Sequence, residues 1–232
     1  MNSAGPFISR LSAWAPGFAA SGDWDEWAQG RRVMRPGSDG PEIAFTDSLF
    51  RRQLSQLSKM TVQVVHDLLP LNENTKMIFL SFRGEIARQY KINKTQIEEG
   101  ALTPRAFSLS VFNAPPALAG IALGFKGGYC ALYPARNAFA AGLKAAQAAL
   151  YSEADPSATD EIVFVYADEE APPEYAGLLT ERLLPFAFAL LLSRKSGPIS
   201  FSSVYNNDCN EEKTPESFLK SLLLSGLLHV SP

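Results

Sequence analysis

Residues 7–14 (FISRLSAW) alternate apolar and polar positions with the period of a half-buried strand, and Pro16 and Gly17 close the run. Residues 19–41 lose this periodicity and read as a loop rich in glycine, tryptophan and charge. Trp14, Trp24 and Trp27 supply the aromatic surface that folds that loop onto the body. Thr46-Asp47-Ser48 offers a helix N-cap, and apolar residues then recur near helical period at Phe50, Leu54, Leu57, Val64, Val65 and Leu68 until Pro70 stops the helix. Residues 76–82 (KMIFLSF) read as a buried strand running out at Arg83 and Gly84. A helix of mixed charge follows over 86–97 and breaks at Gly100 and Pro104.

The second half is more apolar. Residues 107–125 hold a helix from near Pro116 to Gly124, with proline tolerated in its first turn, and Lys126-Gly127-Gly128 then turns the chain. Residues 129–133 (YCALY) read as a strand, and Pro134 opens an alanine-rich helix to Leu150. Its small residues lie on most faces, as in a helix buried between layers. Residues 162–167 (IVFVYA) form a β-branched strand buried on both sides; residues 186–193 and 199–205 form two more, joined by Gly197-Pro198. Residues 215–228 close the chain as a helix. This alternation predicts one α/β domain over 1–232: a mixed, mainly parallel five-stranded sheet with helices on both faces and an antiparallel pair near the end.

At 232 residues and 46% apolar, the chain has material for an ordinary core. A net charge of −3 argues against nucleic-acid binding, which needs a basic stripe to neutralise phosphates. The acidic stretch 153–181 reads as a solvated loop surface. Residues 1–12 lack the apolar core of a secretory signal, and the longest apolar run, 183–192, is too short to span a bilayer and contains Pro185. A protein without membrane insertion, in a reducing cytoplasm, is the expectation, since Cys130 and Cys209 make no disulfide framework.

Signals for chemistry are sparse. The nucleophile elbow G-x-S-x-G, the dinucleotide fingerprint and the P-loop are all absent. Residues 124–128 (GFKGG) read as a plain turn before a strand rather than a phosphate loop. His66 and His229 are far apart in sequence, with no second ligand at helical spacing, so no metal site and no cofactor are expected. His66 and Asp67 are adjacent on a helix and point to different sides, so they make no natural dyad. Cys130 reads as a small buried hydrophobe within its strand; a nucleophile there needs a helix N-terminus or a cation to stabilise the thiolate. Arg51, Arg52 and Lys59 form a small basic cluster, solvated or docking an acidic partner.

Taken in order, these elements resemble the N-terminal half of the thiolase-like β-ketoacyl synthase fold, with residues 107–127 similar to the stretch that ends in its G-x-K-G turn. More narrowly, DSLFRRQLSQLSKM at 47–60, FSLSVFN at 107–113 and FAAGL at 139–143 are similar to the chain-length factors of bacterial aryl polyene clusters. The resemblance implies a partner for an active β-ketoacyl synthase in polyketide, aryl polyene or fatty-acid-type biosynthesis, with an acyl carrier protein reached through the complex. A ketosynthase places its nucleophilic cysteine at the mouth of the buried helix, where backbone N–H groups and the helix dipole favour a thiolate. The matching position here is Pro134, or at the outside Tyr133, and the family's two catalytic histidines have no counterparts.

The resemblance therefore implies a pseudoenzyme that pairs as a heterodimer through 129–133 and 107–118. Phe107, Leu109, Phe112, Tyr129, Cys130 and Tyr133 are the expected tunnel or interface residues, and Arg51, Arg52 and Lys59 the expected carrier-protein contacts. The alternative is half of a split ketosynthase or acyltransferase using Cys130 as nucleophile.

Overall fold

The apolar runs become strands because both of their faces are covered. A computed structural model describes residues 6–100, 103–133, 137–151, 160–175, 177–178, 184–205 and 213–230. In chain order the elements are β1 Phe7–Trp14, α1 Ser21–Ala28, α2 Ser48–Arg51, α3 Gln56–His66, β2 Lys76–Leu80, α4 Ile86–Glu99, α5 Pro104–Ser108, α6 Ala114–Leu123, β3 Tyr129–Leu132, α7 Ala138–Leu150, β4 Glu161–Asp168, β5 Phe186–Ser193, β6 Ile199–Ser200, α8 Phe201–Tyr205 and α9 Pro215–Leu224.

The strands form a single sheet in the order β3-β2-β4-β5-β1-β6. The α/β class with helices on both faces is as expected, but the sheet has six strands rather than five and is not mainly parallel. Strand β2 runs parallel to β3 and β4, whereas the pairs β4–β5, β5–β1 and β1–β6 are antiparallel. The parallel part is where helical crossovers separate the strands; β5 returns beside β4 through residues 169–185 and reverses direction. The last two strands do not pair with each other as predicted. Only Ile199–Ser200 is extended, it pairs with β1, and the chain then coils into α8. Gly197 permits this crossing, since a Cβ there would sit 2.7 Å from the Ile8 carbonyl oxygen.

Side chains alternate between two cores. Ile162, Phe164 and Tyr166 of β4 and Phe186, Phe188, Leu190 and Leu192 of β5 face α1, α7 and α9. Val163, Val165 and Ala167, with Ala187, Ala189 and Leu191, face α3 and α6. Phe139 of α7 is the hub of the first core, with edge-on contacts to Phe164, Tyr166, Phe188 and Phe218. Across the sheet, Ser12 and Arg10 of β1 donate to the carbonyls of Val64 and Leu68, pinning the C-terminal part of α3.

Three local expectations change. The 19–41 loop contains α1, and Trp24 and Trp27 are buried rather than resting on the surface. The single helix predicted from Phe50 to Leu68 is two: α2 is capped by Asp47, and Ser55 caps α3 by accepting from the Ser58 N–H at 3.0 Å. The alanine-rich helix starts at Ala138, capped by Asn137 in the left-handed region at φ 57°, rather than at Ala135. One stripe of it, Phe139, Gly142, Leu143, Ala146 and Leu150, faces the sheet while the opposite side is open, so it is not enclosed between layers in this chain. Pro134 and Cys209 lie outside the described residues, as do 153–159, 176 and 179–181 of the acidic stretch, whose residues 161–168 are the buried strand β4 rather than a solvated loop.

Candidate functional site

Strands β2 and β4 are parallel neighbours that end together, and the chain beyond both ends is polar. This is where ligands gather in open α/β sheets. Two acidic residues there are buried: Asp168, the last residue of β4, and Glu169, which follows it. Each is held by donors from the β2 side. Asp168 accepts from the Ser81 and Tyr166 hydroxyls, both at 2.7 Å, and from the N–H groups of Phe82 and Arg83 at 3.0–3.1 Å. Burial pushes its carboxyl above the usual range, against the pull of those donors. The Tyr166 phenol moves well above 10 because it is buried and faces the Asp168 charge.

Glu169 joins two helix N-termini. Its Oε1 accepts from the Ala87 N–H at 3.0 Å and its Oε2 from the Leu57 N–H at 3.3 Å. Beside it, fully buried Glu85 accepts from Ser55 and Ser58, both at 2.7 Å, and from Arg88 Nε at 3.2 Å. Burial first, then the Glu85 charge, raises the Glu169 carboxyl to about 8, so at neutral pH it is mostly protonated. The arrangement holds loop 81–87 against α3 through serine and tyrosine hydroxyls, one guanidinium and backbone N–H groups, all committed to the two carboxylates and Glu85. Sequence reasoning missed both groups. The signal available was the run ADEE directly after a doubly buried strand, because carboxylates in that place need donors from the neighbouring strand's exit.

The predicted tunnel and interface residues separate into two groups. Phe112 packs on the core ring of Phe79 and against Tyr133 at 5.3 Å between centroids, and the Asn113 side-chain amide donates to the Tyr129 hydroxyl at 3.3 Å. Gly84 makes room for Phe112, since a Cβ there would lie 2.6 Å from its ring. Phe112, Tyr129 and Tyr133 therefore converge beside β3. Leu109 instead lines a cleft between α4 and the 52–56 turn, and Phe107 is exposed on α5. Among the described residues strand β3 is the sheet's edge and is hydrogen-bonded to β2 alone, so Cys130 is exposed rather than a buried hydrophobe. Tyr129 and Tyr133 are 41% and 77% exposed.

The GFKGG segment is a turn, as expected: the N–H groups of Lys126 and Gly127 donate to the Glu73 carbonyl, and a Cβ on Gly127 would lie 2.1 Å from the Asn74 carbonyl oxygen. His66 and Asp67 do touch, at 3.1 Å, against the helical-spacing argument, because α3 ends at His66 and Asp67 is its C-cap. The imidazole also stacks on Phe45, with centroids 3.6 Å apart. Arg51 and Lys59 are half-buried and lie away from the cleft that exposed Arg52 lines, so the three do not act as one cluster. Among the described residues, no group of three His, Cys, Asp or Glu side chains is placed to hold a metal, and no helix is long and apolar enough to cross a membrane.

The model of the β-ketoacyl synthase N-terminal domain matches residues 24–226. The chain belongs to that family. Among solved structures, this ketosynthase-family chain is similar to one from Xenorhabdus doucetiae, a ketosynthase in complex with its chain length factor, with a TM-score of 0.74, 22% identity, and 94% of this chain and 91% of that one covered. It is also similar to a type II polyketide synthase acyl-carrier protein in complex with its ketosynthase bound to the hexaketide (TM-score 0.62, 15% identity, 82% and 63% covered). A third is the ketosynthase from module 6 of the bacillaene synthase of Bacillus subtilis 168 (TM-score 0.57, 16% identity, 82% and 37% covered). These likenesses carry the thiolase-like ketosynthase fold. No curated protein matches the sequence significantly.

Proposed function

We propose that this ketosynthase-family chain is a non-catalytic subunit, of the chain-length-factor kind, that pairs with an active β-ketoacyl synthase in the cytoplasm and shapes its acyl tunnel. The observation that carries the reading is the exposed edge strand: among the described residues β3 pairs with β2 alone, and Tyr129 and Tyr133 at its two ends are exposed. An exposed edge with apolar flanks, here four residues long, is a template for pairing with another chain. The similarity to a ketosynthase in complex with its chain length factor supports an active ketosynthase as the occupant. The inactivity follows from the mouth of α7. By sequence Pro134 matches the nucleophile's position; by helix start the first cap is Asn137. Neither side chain forms a thioester, and a decarboxylating condensation needs such a nucleophile.

Phe112 and Tyr133, in contact and anchored on Phe79, are the proposed tunnel stop, with Leu109 and Phe107 farther out. One or two methylenes too many against such a wall cost about 1–3 kcal/mol, enough to set a chain length. Acyl carrier protein reaches the assembly through the complex, with exposed Arg52 as this chain's contact and half-buried Arg51 and Lys59 standing apart from it. Product class, whether polyketide, aryl polyene or fatty-acid-type, follows the partner.

The exposure of Cys130 keeps a second reading in play, half of a split ketosynthase or acyltransferase with Cys130 as nucleophile. Coexpression with an active ketosynthase, read by native mass spectrometry, tests both. The pairing reading expects a heterodimer that Tyr133→Asp weakens at least tenfold and Cys130→Ala leaves productive. A chain that never pairs, or that carries a covalent acyl group on Cys130 when isolated, overturns it.

A further inference from the structure

Between the N-terminal half of α4, α5 and the 52–56 turn lies a cleft of about 580 Å3, within the range of small-molecule sites. Four cations line it: Arg52 from the turn, Arg88 and Lys91 from α4, and Arg105 from α5. In a chain of net charge −3, this gathering is not a consequence of composition. Arg88 is fixed at the floor, its side chain 20% exposed, with Nε on Glu85 and Nη2 on the Gln53 carbonyl at 2.8 Å. A guanidinium carries five N–H donors, and these two bonds use two of them. Arg52, Lys91 and Arg105 stand at the rim without an ion pair among the described residues.

The carboxylates that face these cations offset them only in part, leaving Arg52, Lys91 and Arg105 in surplus. Glu85 is committed to Arg88 and two serines, and Glu170 accepts from the Gly37 N–H at 3.0 Å. Glu169, held between two backbone N–H groups, is mostly protonated at neutral pH. The walls are rigid: Gln56 donates to the carbonyls of Gly37 and Asp39 and accepts from the Glu170 N–H, and the Thr103 hydroxyl caps α5. Leu54, Ala87, Ala106 and Leu109 add an apolar strip to the lining.

We propose that this cleft binds a small phosphate-bearing anion, with its phosphate between Arg88, Lys91 and Arg105 and a short apolar part along Leu54 and Leu109. A planar guanidinium fixed in place pairs with two phosphate oxygens, and mobile rim cations neutralise the rest. The site is distinct from the β3 edge, so it stands whether or not the chain pairs with a ketosynthase.

Titration of the full chain with inorganic pyrophosphate, followed by calorimetry against sodium chloride at matched ionic strength, tests it. Saturable one-to-one binding is expected, at least tenfold weaker in Lys91→Gln and in Arg105→Gln. Lys195→Gln, which removes the same charge near the opposite end of β4, is expected to bind as the wild type does. All three side chains are exposed, so folding is not at stake. Absence of saturable binding by the wild type, an equal loss in Lys195→Gln, or binding of an acidic protein segment without pyrophosphate overturns the proposal.

Discussion

Glu169→Gln separates the charge of one buried carboxyl from its shape. In the folded chain the carboxyl titrates near 8, whereas the same group in an unfolded chain titrates near 4.5. Between those values the folded state holds a proton that the unfolded state has lost. Stability from this group is therefore fully present at low pH and falls as pH rises through the window, by about 1.4 kcal/mol per unit at its steepest. The accumulated loss is of order 4–5 kcal/mol by pH 9, a large share of a typical domain's total. Above pH 8 the folded state carries Glu169 and Glu85 as adjacent buried charges, with Arg88 and the N–H groups of Ala87 and Leu57 as the compensation.

Glutamine keeps the length and one acceptor but turns an amide NH2 toward a backbone N–H, which costs about 1–3 kcal/mol at every pH. The two stability curves should then cross: wild type more stable at pH 5, variant more stable at pH 9. Urea unfolding followed by circular dichroism at half-unit intervals from pH 5 to 9 measures this. Taking the difference between the two proteins removes the contribution of every other titrating group. Parallel curves across pH 5–8 would show that Glu169 ionises normally and that the protonated bridge between α3 and α4 does not exist.

Asp168→Asn should destabilise by about 3 kcal/mol in urea titrations, because its NH2 meets donors from Ser81, Tyr166, Phe82 and Arg83, and a wild-type-like midpoint would contradict the network. Gly127→Ala should cost more than about 2 kcal/mol and lower the melting temperature, since a Cβ placed 2.1 Å from the Asn74 oxygen must displace backbone. Phe112→Ala in a reconstituted pair should lengthen the products, read by mass spectrometry of the released acyl chains; an unchanged distribution in a folded complex would remove Phe112 from the tunnel wall.

The sequence by itself determined the α/β class and most of the elements. Asp47 announces a helix start through a side chain that accepts from nearby N–H groups, and Gly100 and Gly124 announce helix ends through left-handed backbone. Those signals act within a few residues and are readable without a fold. Strands β4 and β5, buried on both faces, appear as unbroken apolar runs for the same local reason. Family membership was also legible, carried by short motifs spread along the chain.

Tertiary structure decided what depends on partners distant in sequence. The break between α2 and α3 leaves the apolar spacing of Phe50, Leu54 and Leu57 intact; Ser55 and Ser58 instead answer to Glu85. Strand direction on the β5 side follows from how 169–185 and Gly197 return the chain, not from strand composition. An apolar run containing Cys130 reads alike at the centre or the edge of a sheet, and only strand order puts its thiol in the open. The basic cleft is invisible along the chain because its members, from Arg52 to Glu170, meet only where β2 and β4 end side by side.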